Sequence, residues 1–126
     1  MKKIVSFSLW GSNPKYTDGA IKNAEDVQSF YPGWLCRFYV ADDVPEDVLK
    51  RLEELGAEVK RMGTTTDVLG MYWRFHPIYD DAEVERFIVR DTDSRFTVRE
   101  VKMVNEWVES GKDYTSSETI DPTIYL

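Results

Sequence analysis

The sequence predicts an α/β protein built on a mainly parallel β-sheet with helices on both faces. Three observations carry this. Short runs of strand-forming residues alternate with segments whose apolar residues recur at helical spacing. Gly or Pro marks most of the junctions between them. The chain has 126 residues, enough for one domain with a modest core and too few for two. Parallel neighbours need crossover connections, and alternating helices supply them.

The elements follow in order. Lys3 to Leu9 is an apolar run rich in strand formers, broken at Gly11-Ser12-Asn13-Pro14. Asp18 to Phe30 places Ala20, Ile21, Ala24, Val27 and Phe30 on one helical face, with Thr17 or Asp18 as cap and Pro32-Gly33 as stop. Leu35 to Val40 is a second strand. Pro45 opens a helix over Glu46 to Leu55, whose face is Val48, Leu49, Leu52 and Leu55 and whose end is Gly56. Ala57 to Arg61 is a third strand, followed by the polar loop Gly63 to Asp67. Val68 to Tyr79 reads as an aromatic-rich helix interrupted at Pro77, and Glu85 to Val89 as a fourth strand. Val98 to Glu109 is a last helix with Val101, Val104, Trp107 and Val108 on its face and Gly111 as stop. The order is βαβαβαβα. Residues 113–126 form a polar tail whose Ile124-Tyr125-Leu126 has weak strand propensity.

Composition narrows the function. The hydrophobic fraction is 42% and the charged fraction 31%, ordinary for a globular domain. A net charge of -7 argues against nucleic-acid binding by phosphate neutralisation. Cys36, the only cysteine, allows no internal disulfide and is expected as a small buried apolar residue. Met1-Lys2-Lys3 leads straight into a strand-like run, so no signal peptide is expected, and no stretch approaches transmembrane length. The expectation is a soluble cytoplasmic protein.

In parallel sheets of this kind ligands bind beyond the carboxyl ends of the strands. Three polar features fall there: Trp10-Gly11-Ser12, Asp42-Asp43 and Asp91-Thr92-Asp93. The last is the most informative. If strand geometry continues through Asp93, the carboxylates at i and i+2 point the same way and converge. A divalent cation relieves their repulsion, and oxygen ligands suit Mg²⁺ or Mn²⁺. Arg74, within Met71-Tyr72-Trp73-Arg74-Phe75, either pairs with a surface acid or points at the ligand edge, where guanidinium suits phosphate. Arg90 is expected to face away from Asp91 in a structural ion pair. His76, the only histidine, is expected to pack or cap, and alone it makes no zinc site. Leu9-Trp10-Gly11-Ser12 lacks the repeated glycines of a dinucleotide loop, and no P-loop pattern occurs.

Taken together these pieces resemble the nucleotide-binding half of GT-A glycosyltransferases, over roughly Lys3 to Lys112. Ile4 to Gly11 is similar to the first strand and loop that receive the nucleobase. Leu35 to Asp42 is similar to the second strand, Gly70 to Phe75 to an aromatic helix with an arginine before the motif, and Arg90 to Arg95 to the metal-binding Asp-x-Asp itself. The resemblance implies a three-layer α/β/α, Rossmann-like donor-binding domain over 1–112 with a C-terminal tail over 113–126. It implies that Mn²⁺ or Mg²⁺ on Asp91 and Asp93 bridges the diphosphate of a nucleotide sugar, with UDP the commonest carrier. Phe7, Ser8, Leu9, Asp42, Arg74, Asp91, Thr92 and Asp93 would bind the nucleotide, and the sugar would pass to an acceptor the sequence does not identify.

The departure from the family is at the C-terminus. GT-A enzymes continue beyond this point with acceptor contacts, often a third metal ligand, and a base in inverting members. Here the acids after Lys112 are Asp113, Glu118 and Asp121, and no histidine follows. A non-catalytic nucleotide-binding or assembly module of the same fold is therefore the alternative. Phosphatases of the haloacid dehalogenase type also use Asp-x-Asp, but after their first strand, whereas this motif follows the fourth.

Overall fold

The computed structural model describes residues 2–64, 70–77 and 84–110, and the backbone of 124–125. Strands β1 (Lys2–Leu9), β2 (Leu35–Ala41), β3 (Glu58–Gly63) and β4 (Val84–Val89) run parallel. A two-residue strand, β5 (Ile124–Tyr125), pairs in parallel beyond β4, giving the order β3-β2-β1-β4-β5. The helices are α1 (Pro14–Phe30), α2 (Glu46–Glu54) and α3 (Val98–Ser110), and Tyr72–Phe75 forms a 3₁₀ turn. This is the expected α/β architecture, a Rossmann-like parallel sheet flanked by helical segments. Among the described residues no helix is long and apolar enough to cross a membrane.

Strand alternation divides the core. Val5, Phe7 and Leu9 pair in register with Cys36, Phe38 and Val40, and Val5 with Ile88. This face joins Ala20, Ala24 and Val27 of α1, Leu49 and Leu52 of α2, and Val104 and Trp107 of α3 in one cluster. Phe7 stacks on Phe38 at 4.7 Å between ring centroids. The opposite face carries Ile4, Ser6 and Ser8 beside Leu35, Arg37 and Tyr39. Its apolar cluster is small, Ile4, Phe87 and Val89, and the segment that includes Phe75 covers it.

Helix α1 begins four residues before the expected Asp18. Asn13-Pro14, read as a break, is instead a start: the Asn13 side chain accepts the Lys15 N–H at 3.0 Å, and Pro14 occupies the first turn. Proline suits that position because its missing N–H would have had no helical partner. At the other end Gly33 takes the left-handed conformation, φ +85°, that turns the chain into β2.

The helix expected over 68–79 is not what the described part of it forms. Residues 72–75 are 3₁₀, with helical backbone at Gly70 and Met71. Two causes are visible. Pro77 has no N–H to offer the Trp73 carbonyl, which accepts instead from the His76 N–H at 2.9 Å, a 3₁₀ pattern. The backbone of Arg74 is also claimed by β1. The Ser8 hydroxyl accepts its N–H at 2.9 Å, and the Ser6 hydroxyl donates to its carbonyl at 2.6 Å. Two serines on one face of a central strand thus hold one residue of the crossover by both its polar groups. That also satisfies two hydroxyls which burial would otherwise penalise. The rest of the expected helix, the Thr65–Asp67 part of the polar loop, Asp80-Asp81, the Gly111 stop and the 112/113 boundary lie outside the described residues.

Candidate functional site

The sheet order reverses at β1, which has β2 on one side and β4 on the other. Beyond the carboxyl ends of β1 and β4 lies a cavity of about 300 Å³ lined by Ser8, Leu9, Trp10, Tyr16, Met71, Arg74, Asp91, Thr92 and Asp93. Its place is the switch point where open α/β sheets bind ligands, and its size is at the small end of ligand sites.

The Asp91–Ser94 segment is a turn, not a continuation of β4. The last ladder bond is from the Arg90 N–H to the Ser6 carbonyl at 3.0 Å. The Ser94 N–H then closes back on the Asp91 carbonyl at 3.1 Å, and the Ser94 hydroxyl donates to the same oxygen at 2.7 Å. The strand-borne convergence of the two carboxylates expected from the sequence is therefore not what forms. A turn, with Thr92 buried at its centre, carries Asp91 and Asp93 to the wall of one cavity.

What bends the chain there is α1. The Asn23 amide, itself buried, donates to the Thr92 carbonyl at 3.2 Å and to the Ser94 carbonyl at 3.0 Å. One helical turn earlier, Gly19 lets the Thr92 carbonyl lie against the helix backbone. On the far side of the turn Phe96 enters the main core, edge-on to Tyr31 at 5.3 Å. The turn is thus held at both ends and braced in the middle. Gly19 and Asn23 were not among the residues the sequence pointed to. The available signal was a glycine and an asparagine at i, i+4 on the otherwise apolar face of α1, where Asn is an uncommon core residue.

Both carboxylates have a cation beside them. Asp91 Oδ1 is paired with Arg74 Nη1. Asp93 Oδ2 is 3.6 Å from Lys15 Nζ, in the first turn of α1. Arg90 faces away from the cavity and pairs with the buried Glu100 of α3, the structural role expected for it. Burial pushes the Glu100 carboxyl above the ordinary glutamate value, and Arg90, the Tyr31 hydroxyl and Thr97 pull partly against it.

The expected nucleotide-binding residues divide. Ser8, Leu9, Arg74, Asp91, Thr92 and Asp93 meet at the cavity. Phe7 does not: it is fully buried on the opposite sheet face, because neighbours along a strand point to opposite sides. Leu9 shares that face but is the last strand residue, so it borders the space beyond the strand end. Asp42 is not among the lining residues. It is exposed after β2, its N–H bonded to the Gly63 carbonyl at 2.9 Å. Its neighbour Asp43 instead accepts the Gly11 N–H at 2.8 Å and fixes the loop after β1. Trp10, from a segment expected at this edge, lines the cavity with Tyr16 and Met71, which were not assigned to the nucleotide; Tyr16 and Met71 are exposed. His76 packs on Tyr39 at 5.5 Å. Cys36 is buried, and burial pushes its thiol far above the ordinary range, so no nucleophile lies there.

Among the described residues no group of three or more His, Cys, Asp and Glu could hold a metal by itself. Two carboxylates on one turn are nonetheless a fitting donor set for Mg²⁺ or Mn²⁺. Such ions commonly take one or two protein carboxylates and complete their shell with phosphate oxygens and water.

The chain matches no protein-family model, no curated protein and no solved structure.

Proposed function

We propose that this chain is a metal-dependent glycosyltransferase, or the donor-binding domain of one, that takes a nucleoside diphosphate sugar in the cavity beyond β1 and β4. The observation that carries the reading is the joint placement of Asp91, Asp93 and Arg74 around one cavity at the switch point of a parallel sheet. Asp91 and Asp93 would hold Mn²⁺ or Mg²⁺, directly or through water. The ion would supply stabilisation of the charge that develops on the departing diphosphate without needing a proton. Arg74 is the phosphate contact. Trp10 and Tyr16 offer flat aromatic surface, and Met71 a flexible apolar one, to the base or the sugar ring. UDP is the carrier tested first, and the acceptor is unassigned. The reading takes the protein as cytoplasmic, where a single reduced thiol such as Cys36 is stable.

A second reading, donor binding without turnover, is favoured by one observation. Among the described residues the cavity offers no histidine and no acid besides the two motif aspartates to serve as a base.

Calorimetric titration of the full chain with UDP in the presence of Mn²⁺ tests the reading. Saturable binding that is lost in Asp91→Ala and Asp93→Ala supports it. No binding of any nucleoside diphosphate with metal present, or unchanged affinity in both variants, refutes it. Steady release of nucleoside diphosphate from a nucleotide sugar separates the enzyme from the binding module.

A further inference from the structure

The two motif carboxylates already have partners. Arg74, which lines the cavity, sits on Asp91, and Lys15, just outside the lining, lies near Asp93, so each motif carboxylate has a positive side chain beside it. A cation arriving alone must take Asp91 from Arg74 and leave a guanidinium only 19% exposed without its counter-charge. An anion arriving alone must take Arg74 from Asp91 and leave a carboxylate beside a second carboxylate. Neither exchange satisfies all the charges it disturbs.

Resting on the reading proposed above, we infer that the cation and the diphosphate bind by exchanging partners. Asp91 and Asp93 pass from Arg74 and Lys15 to the cation, while Arg74 and Lys15 pass to the phosphate oxygens. Each ligand releases the group the other needs, so the two bind with strong mutual coupling and weakly apart.

Two further observations support Arg74 as the hinge of this exchange. Its backbone is fixed by Ser6 and Ser8 at both polar groups, so the guanidinium can swing while the main chain stays in place. Its Nε is buried with no hydrogen-bond partner among the described residues, so the resting arrangement leaves one of its donors unsatisfied. Lys15 contributes less. Its side chain is 63% exposed and the pair is 3.6 Å long, so water screens it. Lys15 is the residue this inference adds to the site.

The test is calorimetry on the full chain with Mn²⁺ alone, with UDP alone, and with UDP in saturating Mn²⁺. It compares the wild type with Arg74→Met, Arg74→Lys and Lys15→Met. In the wild type each ligand tightens the other. Arg74→Met binds Mn²⁺ alone roughly two- to fivefold more tightly than the wild type, because Asp91, itself 65% exposed, is released from its ion pair. The same variant binds UDP with Mn²⁺ more weakly. Arg74→Lys recovers part of both effects, and Lys15→Met shifts each in the same direction but less. Unchanged Mn²⁺ affinity in Arg74→Met, or wild-type Mn²⁺ and UDP binding independently, overturns the exchange while leaving the nucleotide site standing. If wild type binds UDP neither with nor without metal, the functional reading falls, and the exchange falls with it.

Discussion

Gly19 of α1 lies directly beneath the carbonyl of Thr92, so close that a Cβ at position 19 would fall well inside 3.0 Å of that oxygen. The helix is therefore part of the motif's geometry: the carboxylates of Asp91 and Asp93 can stand where they do only while residue 19 has no side chain. Gly19→Ala forces helix and turn apart, and the atom in the way is backbone, which cannot rotate aside. We expect a loss of about 1–3 kcal/mol in urea unfolding, as for overpacked cores. Any UDP affinity measured with Mn²⁺ should fall as well. Wild-type stability in this variant would show that the turn does not rest on α1.

Asn23 holds the same turn by hydrogen bonds. Asn23→Asp keeps the shape but removes the amide donor and sets a carboxylate against the Thr92 and Ser94 carbonyls. Asn23→Ala leaves both carbonyls with fewer donors in a buried place. Each loss should be about 1–3 kcal/mol, with Asp the more severe. Equal stability of Asn23→Leu and wild type would contradict the importance of these bonds.

The serines of β1 make a separate claim. Ser6→Ala removes the donor to the Arg74 carbonyl, and Ser8→Ala the acceptor for its N–H. Either change should cost about 1–2 kcal/mol. Hydrogen exchange should show the larger effect at residues 72–76, with Ser8→Ala exposing the Arg74 amide most of all. Unaltered protection of that amide in Ser8→Ala would refute the docking.

Glu100 gives the fold a pH signature. Burial raises its pKa in the folded state, so the folded protein holds this proton to higher pH than the unfolded chain does. Stability from this group is therefore complete below the ordinary glutamate value and is lost as pH climbs through that value toward the raised one. Glu100→Gln lacks this dependence. Wild-type stability relative to Glu100→Gln should thus fall as pH rises from about 4 through the mildly acidic range. A difference that stays constant or grows would mean that the Arg90 ion pair outweighs burial.

The sequence made the sheet legible because its apolar runs are short, alternate with helical patterns, and in β1 and β2 are buried on both faces. The described strands agree with it to within two residues. It made the ligand edge legible for the same reason, since strand ends fix where polar residues collect. The start of α1 was misread because Asn-Pro is both a common break and a good helix opening, and only the Asn13 cap bond decides between them. The 3₁₀ turn was not legible because its cause, Ser6 and Ser8, lies 68 and 66 residues away along the chain. Phe7 could have been excluded beforehand: it alternates with Ser6 and Ser8, so it cannot share their side of the sheet. Gly19 and Asn23 escaped notice because a helix face shows its burial in sequence but not which backbone it is buried against.

The central claim is that one cavity holds a cation on Asp91 and Asp93 and a nucleoside diphosphate on that cation. A crystal of the full chain grown with UDP and Mn²⁺, recorded at a wavelength that reveals manganese, tests it most directly. The account predicts one anomalous peak within coordination distance of the Asp91 and Asp93 carboxylates, diphosphate oxygens completing its shell, and the Arg74 guanidinium turned from Asp91 to phosphate. A peak at any other group of residues, or UDP bound away from Trp10, Tyr16 and Met71, would contradict it.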